Sequence, residues 1–482
     1  MSGEDTRPAR TGLAARIGVA LEEDGLLVVV LAAFAIVLLV TLRRGLGIDG
    51  WLALLAGRGI VQHGLPSHDS LTVMAHGRRW TDQSWLAQLG VYGLWRAGGL
   101  KLALLVHALL ATGALTGAAL IARRHGATAR SITWIAIPVL VAYYPVAAVL
   151  RAQSFALPLF TATLWLLLDD ARRLSPRVLA TLPLIALWAN LHGSVLLGAG
   201  LVALAGLATM IRERRPSAKG LALALLPWAC VFASPYATHL PAYYAKVLVG
   251  GDFSHFVTEW APTTLELATV PVFILVLGGL WLLGRNGRAA PLFDQLAFVA
   301  MAVIAFQAIR NVAWFALVAL AVLPPLVGRL LPPAEGRQRL NRILALSFLA
   351  LTCVALGGIA AKPTPWFTHA FPATAARATA RAAGPTGFVF ATSQYNDWLL
   401  WSEPQLAGRV AFDSRFELLT RAQLDEIGRI VDAAGDWRAA LRPYRVFVLG
   451  PSRDTTLEHA LRRTLALHVA FRSRQVVVLR RD

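Results

Sequence analysis

"GLLVVVLAAFAIVLLVTLRRGLGIDGW", residues 25–51, is an uncharged apolar run that stops at two arginines and then places an acid, Asp49, two residues before Trp51. A helix needs roughly 17 to 25 mostly apolar residues to cross a bilayer, and the stretch 25–42 meets that length. It is too long for a signal-peptide core and lacks a convincing cleavage site, so it reads as an uncleaved anchor. The whole chain agrees. Its 482 residues are 56% hydrophobic and 15% charged, which does not describe a soluble protein.

Scanning outward from this run finds roughly eleven candidate spans, at 25–42, 100–122, 132–150, 154–168, 178–189, 194–211, 221–235, 267–283, 292–309, 313–331 and 343–361. The formal net charge of +19 comes from arginines in short clusters between these runs, not from a patch or motif that would bind nucleic acid. With the N-terminus inside, the clusters at 7–16, 123–130, 172–177, 212–219, 285–288 and 329–342 all fall on the cytoplasmic side, as the positive-inside rule requires. Arg151 and Arg310 are the two exceptions, standing in otherwise uncharged outer turns. Cys230 and Cys353 both lie in apolar runs and give no disulfide framework or metal spacing.

The expected architecture is therefore a mainly α, polytopic protein of the plasma membrane. A cytoplasmic N-terminus, 1–23, precedes a transmembrane domain, 24–361, with a large outer loop at 45–96 that carries one or two short surface helices. After a linker at 362–384, the segment 385–482 alternates β-branched or aromatic runs such as "GFVFATS" and "YRVFVLG" with helical patterns such as "RAQLDEIGRIVDAA". That alternation predicts a small α/β domain on the outer face.

In this topology Asp49, Asp69, Trp80 and Asp82 converge on the outer face with Arg151, Gln153, Asn190, His192, Glu259, Trp260, Arg310 and Asn311. Polar residues at span ends are costly and are kept where they line a cavity, pair, or meet a charged ligand. The motifs "IDGW", "GLPSHDSLT", "RRWTDQSWLAQ", "WANLHGS", "SPYATHL", "TEWAPTT", "RNVAWFALVALAVLPPL" and "FDSRFEL" run through most of the chain. With a first span emptying into a loop that opens on acid-x-Trp, they resemble the GT-C superfamily of polyprenyl-phosphate-dependent glycosyltransferases. That superfamily includes protein mannosyltransferases and oligosaccharyltransferases, and the similarity is greatest to its uncharacterised bacterial multispan members. The pattern departs where Leu52 and Ala53 follow Trp51, and no second acid adjoins Asp49. The Trp-Trp-Asp-Tyr-Gly motif is also absent, which argues against transfer to an Asn sequon.

The resemblance implies a sugar moved from a polyprenyl-phosphate donor to an extracytoplasmic glycan, lipid or wall-polymer acceptor, with membrane lipids as further partners. Inverting transfer needs a base for the acceptor hydroxyl and cations for the departing phosphate. Asp49 suits the first role. Arg151 and Arg310 suit the second, because guanidinium holds phosphate oxygens in a bidentate fork. Trp51, Asp69, Trp80, Asp82, His192, Glu259 and Trp260 are the remaining candidates for substrate contact. No cofactor motif is present and no metal site is assigned, though a divalent cation beside the phosphate stays open.

Plainer alternatives stand beside these roles. Asp49 can cap the helix beginning near Trp51. Arg151 and Arg310 can pair with Glu259 or snorkel to the interface. Asn190 and His192 suit a structural hydrogen bond at a helix break. Trp51, Trp80, Trp85 and Trp260 can form an interfacial belt. His63, His68 and Asp69 match no standard metal spacing, and Asp413 with Arg415 suits domain stability or docking. A lipid or solute transporter and a non-catalytic envelope scaffold remain the two competing functional classes.

Overall fold

The computed structural model describes residues 25–248, 257–331 and 338–482; the clusters at 7–16 and the arginine at 337 lie outside them, as does the expected segment 1–23. Among the described residues, eight helices are long and apolar enough to span a membrane, and the shorter apolar helices Pro176–Trp188, Ala218–Val231 and Leu292–Gln307 accompany them. The chain is a multi-pass membrane protein. Helices are the natural solution in hydrocarbon, because each backbone N–H finds a carbonyl within its own segment.

The helix Val312–Gly328 is the most enclosed of the spans. Its Trp314 packs 5.1 Å from Phe160 and 5.8 Å from Trp188, centroid to centroid, so three different helices meet through one aromatic cluster. The last span, Gln338–Ala361, lies at the periphery against Gly25–Arg44.

The loop 45–96, expected on the outer side, is tied to the rest of the chain at several points. Gly45 ends the first helix with φ +66°, and a Cβ there would stand 2.2 Å from the Phe367 carbonyl oxygen, so glycine is required on both counts. That carbonyl accepts from the Leu46 N–H at 2.9 Å, and the Trp366 indole donates to the Leu42 carbonyl at 3.0 Å. The chain leaving the first span is thus clipped to the chain leaving the last one. The helix Ile48–His63 follows at once. The next helix, Trp85–Arg124, bends at Gly98 and Gly99, the latter at φ +70°, so its first part belongs to the outer loop and the rest to the bundle.

The C-terminal sheet has the order β1-β2-β4-β3, with β1 (Phe388–Ala391), β2 (Tyr444–Leu449), β3 (Leu467–Arg472) and β4 (Val477–Arg481). β1 and β2 are parallel, and the other pairings are antiparallel. The stretch 362–384, expected as a linker, contains the helices Thr364–Phe367 and Ala373–Ala383; the second buries Ala375, Ala376 and Thr379 and packs on the sheet. Its small side chains allow that close approach, so the C-terminal unit begins before residue 385.

This unit is stitched to the outer loop. Val73 and Met74 donate their N–H groups to the carbonyls of Val410 and Ala411 at 2.8 and 2.9 Å, while Gly408 donates to Leu71 at 2.8 Å. Beside this backbone seam the Arg415 side chain, 3% exposed, bonds both Asp413 and Asp69, the latter at 2.5 Å, and lies over the Trp80 ring at 4.1 Å. Asp413 and Arg415 therefore dock the domain, as their sequence context suggested.

Removing one partner from a buried ion cluster leaves an uncompensated charge and costs about 3–5 kcal/mol. Arg415→Ala should therefore lower the unfolding temperature strongly and open the C-terminal unit to limited proteolysis. Arg421→Ala, at an exposed helix position, should leave both near the wild-type values.

Candidate functional site

The site forms where helices stop at the end of the bundle that carries the outer loop. The helix Ala129–Ala147 contains Pro145 and ends two residues later, leaving Arg151 extended before the 3₁₀ turn Ala152–Phe155. The Ser154 hydroxyl braces this turn: it lies 2.8 Å from the Nδ1 of His107, whose Nε2 lies 3.1 Å from the Ala147 carbonyl. On the other side, the turn Thr258–Trp260 is tied to the turn Ile309–Asn311 by an Ile309 N–H bond to Ala261 and a Thr263 N–H bond to Phe306, both 3.0 Å. Glu259, Trp260 and Arg310 are therefore held as one unit.

Arg151 joins the two sides. Its Nε lies 2.9 Å from the Asp49 carboxylate, and its Nη2 donates to Glu259. Asp49 and Glu259 retain 42% and 39% side-chain exposure, so both stay within reach of a ligand. Arg310 stacks over the Trp260 ring at 4.2 Å and has no acidic group within ion-pair distance among the described residues. Burial alone would raise the Glu259 carboxyl, but Arg151 and then Arg310 hold it below its ordinary range. Burial alone would lower the Arg151 guanidinium, and Asp49 and Glu259 reverse that and push it up.

His192 lies in the electrostatic field of both arginines. Its Nδ1 accepts from the Ser194 N–H at 3.1 Å, which places the proton of the neutral ring on Nε2. Burial, then the charges of Arg310 and Arg151, lower this imidazole to about 3, so it stays uncharged near neutral pH. The arrangement presents an exposed carboxylate, a guanidinium with no acid at ion-pair distance among the described residues, and a neutral donor in the field of both arginines. That combination can accept a proton and hold an oxyanion.

Asp49 is not the helix cap. The helix Ile48–His63 begins after Gly47, which occupies the cap position, and Asp49 lies in the first turn without a side-chain capping bond. A carboxylate there still gains from the helix dipole. Asn190 is structural, as the plainer reading had it: its Oδ1 accepts from the Trp85 indole at 2.9 Å and its Nδ2 donates to the Ala186 and Ala233 carbonyls.

Four expected substrate contacts lie elsewhere. Trp51 is 6% exposed and packs edge-on against Phe371 at 5.5 Å, so it is neither a sugar platform nor a belt residue. Asp69, Trp80 and Asp82 are 2%, 7% and 3% exposed and belong to the seam around Arg415. Groups so deeply covered cannot meet a substrate. Among the described residues no cluster of three His, Cys, Asp or Glu side chains is placed to hold a metal ion.

Several site residues escaped the sequence reading. His107 and Ser154 lie in apolar stretches where nothing marks them as a brace. Tyr243 lies in the field of Arg310, its hydroxyl pushed well up by burial and then by Glu417 and Tyr244. Asp397, in the segment "YNDWLLW", is 1% exposed and is pushed well up by burial, by Asp413 and in smaller measure by Asp49. An acid among three aromatic neighbours was the signal that could have singled it out.

No protein-family model and no curated protein matches the sequence. Solved structures do match. One is ArnT from Cupriavidus metallidurans bound to undecaprenyl phosphate, at 15% identity and TM-score 0.51 over 94% of this chain and 97% of that one. Another is the archaeal oligosaccharyltransferase AglB from Archaeoglobus fulgidus in complex with an inhibitory peptide and a dolichol-phosphate. There the identity is 12% and the TM-score 0.50, over 90% of this chain and 70% of that one.

Asp82 makes the seam sensitive to pH. Burial raises its carboxyl to about 7, with one oxygen accepting from Gln88 at 2.9 Å and the other lacking a hydrogen-bond partner among the described residues. Its folded value lies above its unfolded value of 3.8, so between those two values the folded state binds more protons and stability falls as pH rises. Wild-type protein should therefore unfold at a lower temperature at pH 8 than at pH 5.5. In Asp82→Asn, which keeps the acceptor for Gln88, that component of the pH dependence should be gone.

Proposed function

Given that the chain has the fold of the GT-C glycosyltransferases, we propose that it moves a sugar from a polyprenyl-phosphate donor to a hydroxyl acceptor at the outer membrane face. The observation that carries this reading is the pairing of an exposed carboxylate, Asp49, with Arg151, next to an Arg310 that has no acid of its own among the described residues. Support for the lipid carrier comes from the undecaprenyl phosphate bound to ArnT and the dolichol-phosphate bound to AglB.

In the proposed step the acceptor oxygen attacks the anomeric carbon, and the bond from that carbon to the phosphate oxygen breaks. The phosphate leaves with the electron pair, and the hydroxyl proton passes to the Asp49 carboxylate. Arg151 orients Asp49 through its Nε, with Glu259 fixing the far side of the guanidinium. Arg310 meets the phosphate, because its guanidinium lies over the Trp260 ring and no carboxylate among the described residues stands within ion-pair distance of it. His192 adds no charge, and its Nε2 proton can be donated to a phosphate or sugar oxygen. The site and the outer face are read together: the arginine clusters at 172–177 and 212–219 stand at the other end of the bundle, as the positive-inside rule places cytoplasmic ends.

The test compares Asp49→Asn and Arg310→Lys in membranes supplied with radiolabelled polyprenyl-phosphate sugars, scored against protein amount. Loss of a positioned general base costs on the order of a hundredfold to ten-thousandfold in rate. Asp49→Asn should reach that loss with little change in stability, because the Asp49 side chain is 42% exposed and Glu259 still balances the Arg151 guanidinium once the Asp49 charge is removed. Arg310→Lys keeps the charge and loses the fork, and it should raise the donor KM more than it lowers kcat. Near-normal transfer by Asp49→Asn would remove the carboxylate from the reaction.

A further inference from the structure

A second charged cavity lies at the opposite end of the bundle. The helix Ala156–Arg172 starts beside Arg151 and ends at Arg172, so its 17 residues separate the two sites by about 25 Å at 1.5 Å per residue. Around Arg172 the ends of the helices Val195–Glu213 and Leu292–Gln307 leave a cavity of about 500 Å³ whose lining includes Leu167, Asp170, Arg172, Arg212, Arg288 and Phe293. This volume is that of a small-molecule pocket.

The charges in the cavity are unevenly matched. Arg172 forms a fork on Asp294, at 3.2 and 2.7 Å, and Lys219 meets Asp170 at 2.5 Å. Arg212 donates only to the Ala171 carbonyl, at 2.7 Å, and Arg288 is exposed. Neither has an acidic partner among the described residues. Two unmatched guanidinium groups around one cavity make a site for an anion.

The rim selects the kind of anion. Leu292, in the cavity lining, is 40% exposed, and on the helix that carries Arg212 the apolar Leu207 and Ile211, 48% and 61% exposed, lie on the face turned away from the lining positions Ala205, Ala208, Thr209 and Arg212. Such apolar exposure on a membrane helix faces lipid, so the cavity opens where head groups meet acyl chains. A soluble anion would gain nothing from that rim, whereas a phospholipid satisfies both parts at once.

We propose that this cavity binds the phosphate head group of an anionic membrane phospholipid, held by Arg212 and Arg288, with the first acyl carbons against Leu292. The site is separate from the lipid-phosphate reaction at Asp49 and does not depend on it. Basic pockets between helices at a membrane surface recognise such lipids through charge and depth together.

Native mass spectrometry of the purified full chain, with phosphatidylglycerol and phosphatidylcholine of matched acyl chains, tests the proposal. Wild-type protein should retain phosphatidylglycerol preferentially, and Arg212→Gln with Arg288→Gln should reduce that preference by roughly fivefold for each arginine. Arg173→Gln with Arg177→Gln, on neighbouring positions that do not line the cavity, should keep it. Arg288→Gln alone breaks no side-chain hydrogen bond or ion pair among the described residues and should show its single share, which guards against a misfolded double variant. An unchanged preference in the Arg212 and Arg288 variants, or an equal loss in the control pair, would overturn the proposal. Full competition by inorganic phosphate would also overturn it, in favour of a free-anion site.

Discussion

The bilayer core offers no water to the peptide backbone, and the rest of the architecture follows from that one constraint. Helices satisfy themselves, so irregular backbone is confined to the ends of spans, where water or other protein groups can bond it. Arg151 and Arg310 stand in such places, each in or beside a 3₁₀ turn at a helix end. The freed backbone groups are satisfied across elements, as in the Ile309 bond to Ala261. The polar site is therefore a by-product of where helices must stop, refined by which side chains occupy the stops.

A second dependence links the site to residues far along the chain. The helix that carries Asp49 is held between the bundle and the C-terminal unit, with Arg58 donating to the Leu400 and Trp401 carbonyls and lying 4.3 Å over the Trp401 ring. The clip at Gly45 fixes its start and the seam around Arg415 fixes the loop beyond its end. The C-terminal unit is thus part of the scaffold that holds the helix bearing Asp49, and the loop 45–96 is part of the C-terminal unit's own packing.

The two ends of the bundle treat charge differently. Near Asp49, Arg151 is balanced by two exposed carboxylates while Arg310 is braced by an aromatic ring. At the far end, buried Asp294 and Asp170 each take one cation, and the remaining arginines face a cavity whose lining includes the exposed Leu292. In both places the acids determine which arginine is available, because a guanidinium already forked onto a carboxylate has fewer donors for an incoming anion.

Much of this was legible in the residues themselves. Spans, the α/β character of the C-terminal segment, Asp49 after the first span and the two exceptional arginines are local properties of composition and charge, and they add along the chain without knowledge of neighbours. The pairing of Asp49 with Arg151 and Glu259, the stacking of Arg310 on Trp260 and the burial of Asp69, Trp80 and Asp82 were not. Asp69 meets Arg415 across 346 positions of sequence, and the exposure of a side chain is a property of everything that packs on it. The sequence by itself determined which segments enter the membrane and which polar residues stand at its surface; only the tertiary structure decided which of those residues are covered and which remain free to act, since burial and ion pairing depend on contacts between distant segments.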